Sequence, residues 1–195
     1  MLVGGKRWFA QNLSSMHYAN GDAIQYEPSP GQWALLDTGA WASYTNDANY
    51  DMIYGKLYNW YAVVDERNVC PMGWHVPTDE DWQALELSLG MPVDEIDLIG
   101  LRGDSLNVGG KLKALTYWES PNQGANNSSG FSATPGGERL NNGTYNQEGF
   151  RGSWWTSSDV SADYGRQRTL MSNQSGIYRT NPLKEVGASV RCVED

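Results

Sequence analysis

The apolar positions change rhythm along the chain. In YGKLYNWYAVVDER, residues 54–67, Leu57, Tyr61 and Val64 recur at helical spacing, with Tyr58 and Ala62 beside them. That spacing predicts a first helix. CPMGWHVP comes next, kept out of helix by Pro71, Gly73 and Pro77. TDEDWQALELSLG predicts a second helix. Thr78 with Asp81 three residues on makes a capping-box-like start, and Asp79, Glu80 and Asp81 suit the positive end of the helix dipole. Trp82, Leu85, Glu86 and Leu89 mark its sides, and Gly90 is a natural terminator.

Residues 91–110 hold one possible short helix and then the loop RGDSLNVGG, and KLKALTYW reads as a further helical or irregular turn. Beyond Gly130 the pattern shortens. FSATPGGERL, GTYNQE, GSWWTSS, GRQRTLMSN, GIYRTN and GASVRCVED read as strands separated by Gly and Asn turns. KRWFAQNL near the start predicts one more strand, and residues 19–50 are rich in loop formers. A helical first half and a strand-rich second half predict an α+β domain, with the terminal strand pairing against the N-terminal one.

Composition sharpens this picture. A chain of 195 residues suffices for one domain with a real core. Nine Trp, eleven Tyr and 22 Gly favour turns, short strands and bulky packing over a helix bundle. Few charges and many Asn and Ser give the chain an extracellular cast. A net charge of −9 disfavours nucleic acid and anionic membranes as partners. No apolar run is long enough for membrane insertion, and MLVGGKRWFAQNL is too weakly apolar to be a signal peptide, so an exported protein would have lost its targeting segment. Oligomeric state stays open.

Cys70 and Cys192 are either a redox or catalytic pair or one long-range disulfide; the extracellular cast favours the disulfide. With only His17 and His75, a three-histidine metal centre is excluded within one chain.

Seven motifs occur in order: KRWFAQNL, YGKLYNWYAV, CPMGWHVPTDEDWQAL, GGKLKA, SSGFSATPGGERL, GSWWTSSD and GASVRCVED. Together they resemble the Fibrobacter succinogenes major paralogous domain from Trp8 to Asp195. The resemblance implies a C-type-lectin-like fold: two helices flanking a small twisted, mostly antiparallel sheet, rich in loops. It also implies an exported or cell-surface setting, and kinship with formylglycine-generating enzymes and the variable proteins of diversity-generating retroelements. Trp8, Trp60, Trp74 and Trp82 lie in its motifs and read as scaffold. Two departures stand out. Ala188 replaces the aromatic usual in GFSVRC, which predicts a packing hole or a repacked neighbour, and Arg166 and Gln167 stand where bulkier residues are usual.

The candidate chemistry divides unevenly. Thr156, Ser157 and Ser158 offer nucleophiles but only His75 or His17 as base, and no nucleophile elbow. Asp79, Glu80 and Asp81 read as solvated dipole partners rather than a glycosidase pair. Asp47, Asn49 and Asp51 open like a calcium loop, but Met52 and Tyr58 break the pattern, so calcium is only a weak candidate. The RGD at 102–104 reads as a family turn. The stretch Tyr164, Arg166, Gln167, Arg168, Ser172, Asn173, Gln174, Tyr178 and Arg179 combines the residue types of adaptable binding surfaces. In the lectin-like fold this segment often forms the ligand face.

The expected function is therefore a non-enzymatic recognition module that binds carbohydrate or protein through 164–181 and needs no cofactor. Its rivals are a retroelement variable protein, a formylglycine-generating-type oxidoreductase and a structural module for surface assembly. Trp154 and Trp155 are expected to be buried, one in the core and one beneath the ligand face.

Overall fold

A computed structural model describes residues 1–195 and has α+β architecture. Its centre is one six-stranded sheet. We label its strands along the chain β1 (Gly100–Arg102), β2 (Gly136–Arg139), β3 (Tyr145–Glu148), β4 (Arg151–Asp159), β5 (Gly165–Met171) and β6 (Ile177–Thr180). Their spatial order is β1-β6-β5-β4-β2-β3. All neighbours are antiparallel except β4 and β2. Three smaller sheets of two or three strands surround it, so the layout is more complex than a single small sheet.

The strand runs after Gly130 fall where their alternation places them, apart from the last. GASVRCVED is mostly irregular, touching its neighbours by single bridges (Tyr58 with Ala188, Trp154 with Ser189) before Val193–Glu194 pairs with Trp74–His75. The termini do meet: Trp8 bridges Val193, and the Phe9 amide donates to the Cys192 carbonyl at 2.9 Å. Ala188 is fully buried, directly across from Tyr58.

Helix α1 (Asp79–Ser88) forms as its signals predict. Thr78 and Asp81 close a capping box, and Gly90 adopts φ 95° just past the end. The other predicted helix does not form. Residues 54–67 break into the end of a turn at Asp51–Tyr54, a strand at Leu57–Tyr58 and a single turn at Trp60–Val63. Gly55, at φ 71°, stops the first turn. Asn59 then caps the second, and its buried amide also binds Ala40 N and Thr38 O. Those bonds hold Leu57–Tyr58 in a ladder with Trp41 and Ala42, which overrides the helical spacing.

Two apolar clusters sandwich the central sheet. Trp154 joins Trp8, Trp82, Phe131 and Leu170, whereas Trp155 joins Tyr58, Trp60, Val190 and the Cys70–Cys192 disulfide. Adjacent residues on a strand face opposite ways, and both tryptophans are fully buried because both faces are covered.

Candidate functional site

Much of the stretch 164–181 that the sequence offers as a ligand face lies in the interior. Trp154, Arg168 and Arg179 stand opposite one another across β4, β5 and β6 and therefore share one side of the sheet. Helix α1 supplies Asp79 and Glu86 to the same network. Arg168 donates to Asp79 and Glu86 at 2.6 Å each, Arg102 forms a fork with Glu86 at 2.9 Å, and Arg179 binds Asp79 at 2.5 Å. The carbonyls of Ile96 and Asp97 take further guanidinium donors. Burial works against ionisation of Asp79, but hydrogen bonds from Arg179 and the charge of Arg168 prevail and hold its carboxyl at about 2.

Arg168 and Arg179 are thus core ion-pair residues, and Gln167 and Ser172 are also fully interior. The physical reason is topological. β5 and β6 are inner strands of a doubly covered sheet, so alternation sends side chains from one core to another instead of to solvent. Tyr164 and Asn173 are exposed, at opposite ends of β5. Arg166, Gln174 and Tyr178 are half-buried, with Arg166 bonded to Asn181. Of the nine candidate residues, only Tyr164 and Asn173 are exposed.

The other sequence candidates resolve as structure. Asp47 caps the turn at Asn49, and Asp51 pairs with Lys56 and accepts from Ser43. No group of three or more His, Cys, Asp or Glu is arranged to hold a metal ion. Ser157 donates to the Val76 carbonyl, Ser158 accepts from Asp79 N, and Thr156 accepts from Ser158 N. His75 lies instead between Asp81 and Asp195. Asp79 and Asp81 are buried partners of Arg and Lys rather than solvated acids. In the RGD turn Arg102 is buried and Asp104 accepts from Ser175.

A concave site lies elsewhere, between Gln11–Asn12, Met52–Ile53 and the loop Ala114–Tyr117. It is a cleft of about 430 Å³, within the size range of ligand sites. Met52, Leu115 and Tyr117 are exposed at its rim. Arg191 lines it and is 1% exposed. Its guanidinium lies over the Phe131 ring and donates to Asn12 Oδ1 through Nε and Nη2, and to the Phe131 carbonyl through Nη1. No carboxylate pairs with it, so burial alone acts on its pKa, pushing it down. Asn12 Oδ1 also accepts from Trp154 Nε1 at 2.8 Å, which ties the cleft to the first core. Three lining residues, Tyr117, Asn127 and Ser132, adopt positive φ of 74°, 49° and 53°. For a bulky aromatic such as Tyr117 this is a strained conformation.

The model of the Fibrobacter succinogenes major domain matches residues 1–194. The chain belongs to this family. No curated protein and no solved structure matches it. In this Fibrobacter succinogenes major domain, no helix is long and apolar enough to cross a membrane.

Sequence reasoning missed the cleft because its parts come from five separate segments. Arg191 sits inside a scaffold motif, and a lone arginine in SVRC gives no periodic or spacing signal. A cue was nevertheless present: a charged residue in a run of small and apolar ones.

Proposed function

We propose that this Fibrobacter succinogenes major domain is a non-enzymatic recognition module of an exported or cell-surface protein, built on a C-type-lectin-like frame. Its ligand is a protein segment that presents a carboxylate beside apolar side chains, held in the Arg191 cleft. One observation carries the reading: Arg191 is a buried guanidinium with no counter-ion, and it lines an open cleft. Three of its five N–H donors are used within the protein. An incoming carboxylate supplies the missing negative charge in a place where low dielectric strengthens the attraction. The aliphatic and aromatic rim of Met52, Leu115 and Tyr117 favours apolar side chains over a bare ion.

The disulfide supports the remaining parts of this reading. It leaves no free cysteine, which removes the thiols a formylglycine-generating activity would need, and such bridges persist in oxidising compartments. Titration calorimetry with peptides carrying a free C-terminal carboxylate, and with the same peptides amidated, tests the site. Saturable binding that weakens on amidation, and falls about tenfold in Tyr117→Ala, is expected. Absence of any binding, or equal affinity in Tyr117→Ala and Arg191→Gln, would overturn it.

A further inference from the structure

A second concavity lies away from the Arg191 cleft, walled by Gln25, Asp37, Thr38, Tyr61, Asp65 and Arg67, with Tyr18 lining it. Its volume is also about 430 Å³. Tyr18 is 3% exposed, yet its hydroxyl closes no hydrogen bond. Gly39 makes room for that hydroxyl, because a Cβ there would collide with it. Arg67 covers the Tyr18 ring, 4.1 Å from its centroid, and is held by Asp65 at 2.7 Å and Asp22 at 3.3 Å. Burial first, then the charge of Asp65, pushes the Tyr18 pKa up to about 12, so the phenol keeps its proton. Asp65 lies near enough to act on the phenol by charge and as a weak acceptor, but no bond of normal geometry closes between them.

A buried hydroxyl without a partner is costly, and this one lines a groove whose wall carries the exposed groups of Asp37, Thr38 and Gln25. The groove's needs are mixed. Tyr18 must donate, whereas the carboxylates of Asp37 and Asp65 must accept. A cation cannot accept from the Tyr18 hydroxyl, and an anion meets the two carboxylates. Hydroxyl groups do both at once, and the half-buried ring of Tyr61 offers an apolar surface to a pyranose face.

We infer that this groove is a second binding site, separate from the Arg191 cleft, and that it takes a neutral saccharide whose hydroxyl oxygen accepts from Tyr18. The test is titration calorimetry of the intact domain with cellohexaose, xylohexaose and mannohexaose, alongside spermidine. Saturable binding of at least one oligosaccharide is expected, weakened about 3- to 10-fold by Tyr18→Phe, the loss of one hydrogen bond. The same variant without sugar should melt at or above the wild-type temperature, because it removes an unpaired buried hydroxyl. The inference is overturned if none of the three sugars binds, if spermidine binds in their place, if Tyr18→Phe leaves sugar affinity unchanged, or if that variant melts lower because the hydroxyl serves the fold. Peptide binding at the Arg191 cleft is measured separately and stands or falls by itself.

Discussion

Arg168 and Arg191 are both buried arginines, and they teach opposite lessons. Arg168 sits between two sheet strands and a helix, with Asp79 and Glu86 both within 2.6 Å. Arg191 sits beside a cleft with an amide oxygen, a carbonyl and an aromatic ring, and no acid. A buried charge is tolerated when it is neutralised and hydrogen-bonded. Arg168 meets both conditions within the fold. Arg191 meets only the second, which leaves its charge available to something from outside. Pairing alone does not separate the two roles, since Arg139 is also fully buried with only carbonyls and aromatic rings as partners; what sets Arg191 apart is that it also lines a cleft.

The sharpest way to break this contrast is Arg168→Met. It leaves Asp79 and Glu86 with fewer cations in the interior, and a loss of about 3–5 kcal/mol in urea unfolding is expected. A loss under 1 kcal/mol would mean that the network is not a structural unit. Arg191→Gln should cost less, about 2 kcal/mol, since no buried carboxylate is abandoned and the glutamine amide can still donate to Asn12. Its main effect should fall on affinity for carboxylate-bearing peptides. If unfolding suffers as much as in Arg168→Met while affinity holds, Arg191 belongs with the scaffold.

Acid sharpens the comparison further. Asp79 has its pKa depressed from 3.8 to about 2 in the folded state, so its contribution is present above pH 3.8 and is lost as pH falls towards 2. Stability should drop by roughly 1–2 kcal/mol over that window on its account, and Asp79→Asn should flatten this part of the curve. The smallest effect expected is in Tyr117→Gly. Glycine accepts φ 74° without strain, so a stability gain of about 1 kcal/mol is expected together with weaker peptide binding. A variant that gains stability and keeps full affinity would detach the strained rim from the cleft's function.

Much of the fold was legible beforehand. Thr78 and Asp81 announce α1 because a capping box uses only local atoms. The strand runs between Gly130 and Thr180 are bounded by turn formers that act within a few residues, and they formed accordingly. The helical spacing of Leu57, Tyr61 and Val64 misled because Asn59, a residue of modest helix propensity, is bound to Thr38 and Ala40 some twenty residues away. The candidate site was legible only as a set of residue types. The Arg, Gln and Ser of 165–172 have the chemistry of a surface, and nothing in their own order reveals a helix overlying one side.

GSWWTSSD marks the same boundary. Sequence alone determines that Trp154 and Trp155 point to opposite faces of a strand, since alternation is a property of the backbone. It also determines that two large apolar rings resist exposure, that Thr78 starts a helix, and that the family motifs run almost from end to end. Only the tertiary structure decides that both faces of that strand are interior, that Asp79 and Glu86 arrive to neutralise Arg168, and that no acid arrives for Arg191. Local bonding and side-chain alternation are written within a few residues. Which charges meet depends on segments some 80 or more residues apart being brought within 3 Å, and that distance is set by the packing of the whole chain.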